Sequence, residues 1–212
     1  MSVEAIGALQ EPVRRAVYER AVATGEPVSR NEIADALGIG RTLAAHHLDK
    51  LVEAGLLEAS FARVNGRSGP GAGRPAKLYR RSPAEHALSL PPRDYRMLAE
   101  MLADAVEAAG ADSALQDAAR RQGERVAAQR GHASDRAQAV QLLKTLGFEP
   151  YVDGSCVRLR NCPFDAVAKS HPGLVCGASL AFVEGLLGQP ARLDPRPEGC
   201  CVAIEATKNQ DH

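Results

Sequence analysis

The chain has 212 residues and no formal net charge, because 26 basic side chains balance 26 acidic ones, and 45% of its residues are hydrophobic. This is an ordinary composition for a globular protein of one or two domains, and the zero total argues against strong non-specific affinity for DNA. The chain opens with no signal peptide, and no apolar run approaches the ~20 residues of a membrane span. We therefore expect a cytoplasmic protein without membrane contact.

The first part of the chain predicts three helices followed by a hairpin. Helices are predicted over residues 9–23, 30–37 and 41–54, the second with a capping box of Ser29 and Glu32 and the third ended by Gly55. Strand-like spacing follows over 56–64, then a loop rich in Gly, Pro and Arg over 65–75, then a strand over 77–80. This pattern indicates a winged helix-turn-helix domain at residues 1–82.

Three segments in this region carry a family resemblance: 33–38, 47–57 and 73–79, the last beginning Gly73-Arg74-Pro75. Over about residues 8–81 the chain resembles the ArsR/MarR-type bacterial regulators, and its Gly-Arg-Pro wing resembles their SufR-type branch. The resemblance implies a homodimer that binds a double-stranded DNA operator, which two-fold symmetry favours as palindromic.

In such domains the third helix enters the major groove, and its exposed residues meet base edges or phosphates. The predicted DNA-contacting residues of this helix are Arg41, Thr42, Ala45, His46 and Lys50. On the wing, Arg63, Arg67 and Arg74 are predicted to reach the flanking backbone or a minor groove. The alternative is a winged helix that binds protein, with these arginines merely solvated.

Residues 83–133 are predicted to be a helical linker and dimerisation region. A helix over 94–109 places Tyr95, Leu98, Leu102 and Val106 on one face, and a second helix follows over 113–130. We expect the apolar face of the first helix to form a dimer interface. Alternatively, this face packs on the carboxy-terminal domain.

Residues 134–212 predict a small α+β domain, so the expected fold class of the whole chain is α+β and mostly α. Ser134 is expected to cap a helix over 135–146, and strands over 148–152 and 155–160 flank an Asp153-Gly154 turn. Helices over 164–170 and 176–187 and a strand over 200–206 complete the domain.

All five cysteines lie in this domain, between Cys156 and Cys201. Cys162 and Cys176 stand at predicted helix starts, where free amides and the helix dipole favour thiolates. Of the adjacent pair, Cys200 is slightly preferred over Cys201 as a third ligand, because it shares the strand face of Val202 and Ile204. Cys156 is interpreted as a structural thiol. The spacing fits neither a zinc knuckle nor a ferredoxin.

The segments around Cys162, Cys176 and Cys200-Cys201 resemble the sensor domain of SufR-type regulators over about residues 138–206. The resemblance implies a repressor of iron–sulfur assembly or related redox genes. It also implies an iron–sulfur cluster, 2Fe–2S or 4Fe–4S, held by cysteines of the set Cys162, Cys176, Cys200 and Cys201. A change in the cluster would then change DNA affinity.

Three alternatives stay open for the cysteines: zinc, a metal-free thiol–disulfide switch, and inert core thiols. An alternative of a different class is a small-molecule-binding or thiol enzyme domain fused to a DNA anchor. The sequence has no Ser/His/Asp set, glycine-rich phosphate loop or paired-carboxylate motif, so we do not expect an enzyme.

Overall fold

The computed structural model describes residues 2–62, 75–196 and 199–205, and the chain divides into two compact units, Met1–Arg93 and Asp94–His212. Each unit has its own hydrophobic core. The fold is α+β and mostly α, as predicted. None of the helices in the described ranges is long and apolar enough to cross a membrane.

The described residues of the first unit form four helices: α1 (Ser2–Ala8), α2 (Pro12–Ala23), α3 (Arg30–Leu37) and α4 (Arg41–Glu53). The capping box of α3 is confirmed, since Ser29 Oγ accepts the Glu32 N–H and the Glu32 carboxylate accepts the Ser29 N–H. The prediction that α2 begins at residue 9 is wrong. Glu11 caps that helix by accepting the N–H groups of Val13 and Arg14, so the helix starts at Pro12.

A small antiparallel sheet completes the first unit, with strands β1 (Val28–Ser29), β2 (Leu57–Ala62) and β3 (Ala76–Arg81) in the order β1-β3-β2. The hairpin of β2 and β3 is the predicted wing, and the two-residue strand β1 was not predicted. The hydrophobic core of the first unit contains buried residues such as Val17, Ile33, Leu48, Leu51, Leu57 and Tyr79. The unit is thus a helix-turn-helix with a β-hairpin.

The second unit contains five helices within its described residues: α5 (Tyr95–Ala108), α6 (Asp112–Arg130), α7 (Arg136–Thr145), α8 (Asp165–Ala168) and α9 (Pro172–Leu187). Its strands are β4 (Pro150–Asp153), β5 (Cys156–Leu159), β6 (Ala191–Leu193) and β7 (Val202–Glu205). They form an antiparallel sheet in the order β4-β5-β7-β6. Strand β6 was not predicted.

Three predictions about helix starts in this unit are wrong. Asp135, not Ser134, caps α7, because its carboxylate accepts the Gln138 N–H. Helix α6 begins at Asp112, one residue before its predicted start at residue 113. Helix α9 begins at Pro172, because proline is well tolerated in the first turn of a helix, so Cys176 lies inside the helix.

Helices α6 and α9 cross at very close range through two glycines. A Cβ added to Gly123 would lie 2.2 Å from the Phe182 carbonyl oxygen, and one added to Gly185 would lie 2.2 Å from the Arg120 carbonyl oxygen. No side chain fits between backbones at this distance. The two glycines therefore fix the position of α9, and with it the position of Cys176.

Candidate functional site

Helix α4 presents the residues that the sequence predicts to contact DNA. Arg41, Thr42, His46 and Lys50 are exposed and Ala45 is half-buried, whereas Ala44, His47, Leu48 and Leu51 face the core. Lys50 Nζ is not free for a phosphate in this structure, since it forms an ion pair with Glu53 Oε2 at 2.6 Å. The predicted wing contacts Arg63, Arg67 and Arg74 lie outside the described residues.

Asp49 joins α4 to the wing strand β3. Its Oδ1 accepts hydrogen bonds from Lys77 Nζ at 2.7 Å and from the Tyr79 hydroxyl at 2.9 Å. Burial opposes ionisation of Asp49, but these two donors outweigh it and leave the pKa of the carboxyl below its ordinary value. Because Tyr79 is buried, the link sets the orientation of α4 relative to the hairpin.

His47 is a core residue of the first unit. Only 6% of it is exposed, and its Nδ1 lies 3.6 Å from Glu11 Oε2. Burial lowers the pKa of His47, although Glu11 acts in the opposite direction. The neutral imidazole therefore packs inside the domain.

Four of the five cysteines converge in the second unit as two pairs. The Cys162 thiol is in hydrogen-bonding contact with Cys200, and the Cys176 thiol is in hydrogen-bonding contact with Cys201. Electrostatic interactions of Cys176 with Cys162 and with Cys200 link the two pairs. Cys200 and Cys201 therefore each have their own partner among the other cysteines.

Sheet topology explains this convergence. Strands β5 and β7 are antiparallel neighbours, so the residues that follow β5 lie beside the residues that precede β7. The Cys200 N–H donates to the Leu159 carbonyl oxygen at 3.0 Å, which extends this pairing towards Cys162. At Gly199 the backbone has φ of 94°, and a Cβ there would lie 2.9 Å from the Leu159 oxygen, so glycine is required for this close approach.

The protonation of these thiols differs from the sequence-based expectation, which assigned thiolates to Cys162 and Cys176. Hydrogen bonding to Cys200 and burial raise the pKa of Cys162. Burial and the contact with Cys201 raise the pKa of Cys176 to about 11. The predicted helix-start effect is absent at Cys176 because that residue lies in the second turn of α9.

Cys200 is the acidic thiol of the site. The hydrogen bond from Cys162 lowers the pKa of Cys200 to about 7, against the opposing effect of burial, and the N–H groups of Val202 and Cys201 add to the lowering. Ser179 contributes in the same direction. Thiolate is the form that binds metals and attacks oxidants, so Cys200 is the most reactive of the buried sulfurs.

Cys156 lies apart from the other four. It is paired with Asp153 and Glu205 in the sheet register, and its thiol contacts the Arg192 side chain. It enters none of the interactions that connect the other cysteines. Its interpretation as a structural thiol stays a prediction.

The thiol site fits an iron–sulfur cluster in the chemistry of its donors but is not a ready site for one metal ion. Four cysteine sulfurs are the usual ligand set of such clusters. No disulfide joins any of them. Across residues 2–62, 75–196 and 199–205, however, no group of three or more His, Cys, Asp or Glu side chains is placed to hold a metal ion.

His171 connects the thiol-bearing helix to α5. It directly precedes α9 and is 8% exposed, with Nδ1 2.9 Å from Glu107 Oε2 and Nε2 3.6 Å from Asp104 Oδ1. Both ring nitrogens therefore face carboxylates of α5. Its two carboxylate partners lie far away in the chain, so no local sequence pattern indicates these contacts.

Ser179 is a site residue that the sequence analysis did not identify. It lies one turn after Cys176 on α9, close to Cys200, and it is 2% exposed. The spacing of three residues between Cys176 and Ser179 is the only signal in the sequence that places them on the same helix face.

Comparison with known protein families gives one finding: residues 9–59 match a family described as a helix-turn-helix domain. The matched segment runs from just before α2 into β2. No curated protein and no solved structure matches the chain. The first unit therefore contains a helix-turn-helix domain, the kind of domain that DNA-binding transcription regulators carry.

Proposed function

We propose that this protein is a transcriptional repressor whose affinity for DNA is controlled by an iron–sulfur cluster on Cys162, Cys176, Cys200 and Cys201. The observation that carries the proposal is the convergence of these four thiols in a chain whose first unit is a helix-turn-helix domain. The cysteines come from three separate segments, so their meeting depends on the fold of the second unit.

DNA recognition is assigned to the exposed face of α4. Arg41 is suited to a guanine edge or a phosphate, Thr42 to a base or phosphate, and Ala45 to a thymine methyl. His46 is exposed on the same face, and Lys50 would leave Glu53 to meet a phosphate, which positions the protein without reading sequence. Arg63, Arg67 and Arg74 of the wing are proposed as contacts to the flanking backbone or a minor groove.

A cluster suits the proposed regulatory role better than a zinc ion does. A bound cluster supplies electron transfer or sensitivity to oxidants, which a zinc ion does not. Cys200 would be the readiest of the four to hold a cluster, because its pKa is lowered to about 7. Cys162 and Cys176 would have to lose their thiol protons to hold it, so cluster binding would depend on pH.

Contacts within the second unit connect the thiol-bearing helix α9 to helix α5, the proposed dimer element. His171 holds the start of α9 against Glu107 and Asp104 of α5. Helix α5 exposes a row of large apolar side chains: Tyr95, Met97, Leu98, Met101 and Leu102. We assign this row to a homodimer interface, because a second copy presents the same face and a palindromic operator needs two recognition helices. Displacement of α9 would alter this interface and hence the spacing of the helices.

A second candidate is a metal-free thiol–disulfide switch. The contact between Cys162 and the acidic Cys200 favours it, since a thiolate beside a thiol is the starting point of disulfide formation. Oxidation by a peroxide would join the two sulfurs, reduce the peroxide to two waters or alcohol and water, and consume the two thiol protons. Mass spectrometry after peroxide treatment of cluster-free protein would identify a Cys162–Cys200 bridge.

The experiment that tests the proposal compares DNA binding by cluster-loaded and cluster-stripped protein. Both forms are prepared anaerobically and titrated against genomic fragments, with Cys156→Ser as a matched control for removal of a thiol. We expect the two wild-type forms to differ in affinity by at least about fivefold, the lower end of typical coupling. Equal affinity of the two forms would reject cluster control.

A further inference from the structure

The Ser179 hydroxyl is a buried donor with no partner. Ser179 is 2% exposed, and its Oγ makes no hydrogen bond with any residue that the structure describes. Inside a helix a serine hydroxyl usually bonds to the carbonyl four residues earlier or points to solvent, and here it does neither. A buried hydroxyl without a partner is destabilising, so a ligand that completes the hydrogen bond would recover the lost free energy.

The position of this hydroxyl relates it to both cysteine pairs. Ser179 is three residues after Cys176, and residues at this spacing lie on one face of a helix. The hydroxyl also approaches Cys200, which belongs to the other pair, without completing a hydrogen bond of ordinary geometry. Ser179 therefore stands beside one sulfur of each pair.

We propose that the Ser179 hydroxyl donates a hydrogen bond to a sulfur anion of the loaded site, either an inorganic sulfide or the sulfur of Cys200. This inference rests on the proposed function, because it needs a cluster on the four cysteines. Ser179 is a positioning residue and not a ligand. Hydrogen bonds to the sulfurs stabilise the more negative, reduced state, so the hydroxyl raises the reduction potential and slows loss of iron.

The test uses the full chain with three substitutions. Ser179→Ala removes the hydroxyl, and Ser179→Thr retains it. Ser155→Ala is the matched control, since Ser155 is an exposed serine of the same unit in the turn between β4 and β5. Each protein is loaded anaerobically, its reduction potential is measured by optical titration, and its iron loss is followed after addition of a chelator.

We expect Ser179→Ala to have a lower potential than wild type and to hold its iron on the order of tenfold less tightly. Ser179→Thr and Ser155→Ala should keep the wild-type potential. The cluster-free Ser179→Ala protein should be at least as stable as wild type to urea, because it loses a hydroxyl that has no partner.

Three outcomes would overturn this inference alone. The first is an unchanged reduction potential in Ser179→Ala, and the second is an equal fall of the reduction potential in Ser179→Ala and Ser179→Thr. The third is a loss of stability to urea in cluster-free Ser179→Ala. An equal fall would mean that packing and not the hydroxyl is responsible. Wild-type protein that takes up neither iron nor sulfide would overturn the proposed function as well.

Discussion

The thiols of Cys162 and Cys200 interact, and this interaction raises the pKa of Cys162 and lowers the pKa of Cys200. Cys162 follows β5 and Cys200 precedes β7, two antiparallel neighbours of one sheet. The sensor chemistry proposed for this protein therefore depends on a strand pairing. Any change that separates β5 from β7 would separate the two sulfurs.

The glycines at the crossing of α6 and α9 should be intolerant of any side chain. Gly185→Ala places a Cβ 2.2 Å from the Arg120 carbonyl oxygen, so the helices must move apart. We expect the free energy of unfolding to fall by at least about 2 kcal/mol, measured by urea denaturation. Gly173→Ala is the control, because a Cβ added at this position of α9 would have no heavy atom within 4 Å. Its free energy of unfolding should rise by about 0.5 kcal/mol. Equal effects of the two changes would argue against the close crossing.

The link between α4 and the wing should contribute to stability through Tyr79. Tyr79→Phe removes the hydroxyl that donates to Asp49 at 2.9 Å and leaves the buried ring in place. The expected cost is about 1 kcal/mol in the free energy of unfolding. Arg80 lies on the same strand as Tyr79, and Arg80→Ala, which breaks an exposed ion pair with Glu58 of β2, should cost less. A Tyr79→Phe protein as stable as wild type would show that the bond has no net effect.

Stability should fall in acid because of His47. Burial lowers the pKa of its imidazole in the folded state, so the unfolded chain binds the proton more readily. The folded state is therefore favoured above the ordinary histidine pKa of about 6.5 and loses stability as the pH falls below it towards the lowered value.

Urea denaturation at pH 7.5 and pH 5.5 measures this effect. We expect His47→Gln to reduce the difference between the two pH values, whereas His46→Gln, at the exposed neighbouring histidine, should leave it unchanged. An unaltered pH dependence in His47→Gln would assign the loss of stability to other groups.

The first unit was more predictable from the sequence than the thiol site. The Ser29 and Glu32 capping box and the Gly55 helix end are local signals, and the structure confirms both, with Gly55 at φ of 75°. The pairing of Cys201 with Cys176 depends on contacts between residues distant in the chain, which periodicity does not reveal. The prediction of a thiolate at Cys176 is wrong because α9 begins one turn earlier, at Pro172, so Cys176 does not lie at the start of the helix.

DNA affinity should depend on Arg41 and Lys50 in different ways. Arg41→Ala should cost about 1–3 kcal/mol on the specific operator and relax its sequence preference, if Arg41 reads a base. Lys50→Ala should weaken binding to all sequences alike and reduce the salt dependence, as expected for a phosphate contact.

Fluorescence anisotropy at several salt concentrations measures both effects. Lys144→Ala, at an exposed lysine of the second unit, is the control and should bind like wild type. Unchanged affinity in both α4 variants would place the DNA-binding surface elsewhere.

In the proposed function, four cysteines and not the fifth hold an iron–sulfur cluster. The most direct measurement is the content of iron and acid-labile sulfide in anaerobically purified protein, for wild type and for each Cys→Ser variant. We predict iron and sulfide in wild type and in Cys156→Ser, and a marked loss in the Cys162→Ser, Cys176→Ser, Cys200→Ser and Cys201→Ser proteins. A colourless wild type without iron or sulfide, or a loss in Cys156→Ser alone, would contradict the claim.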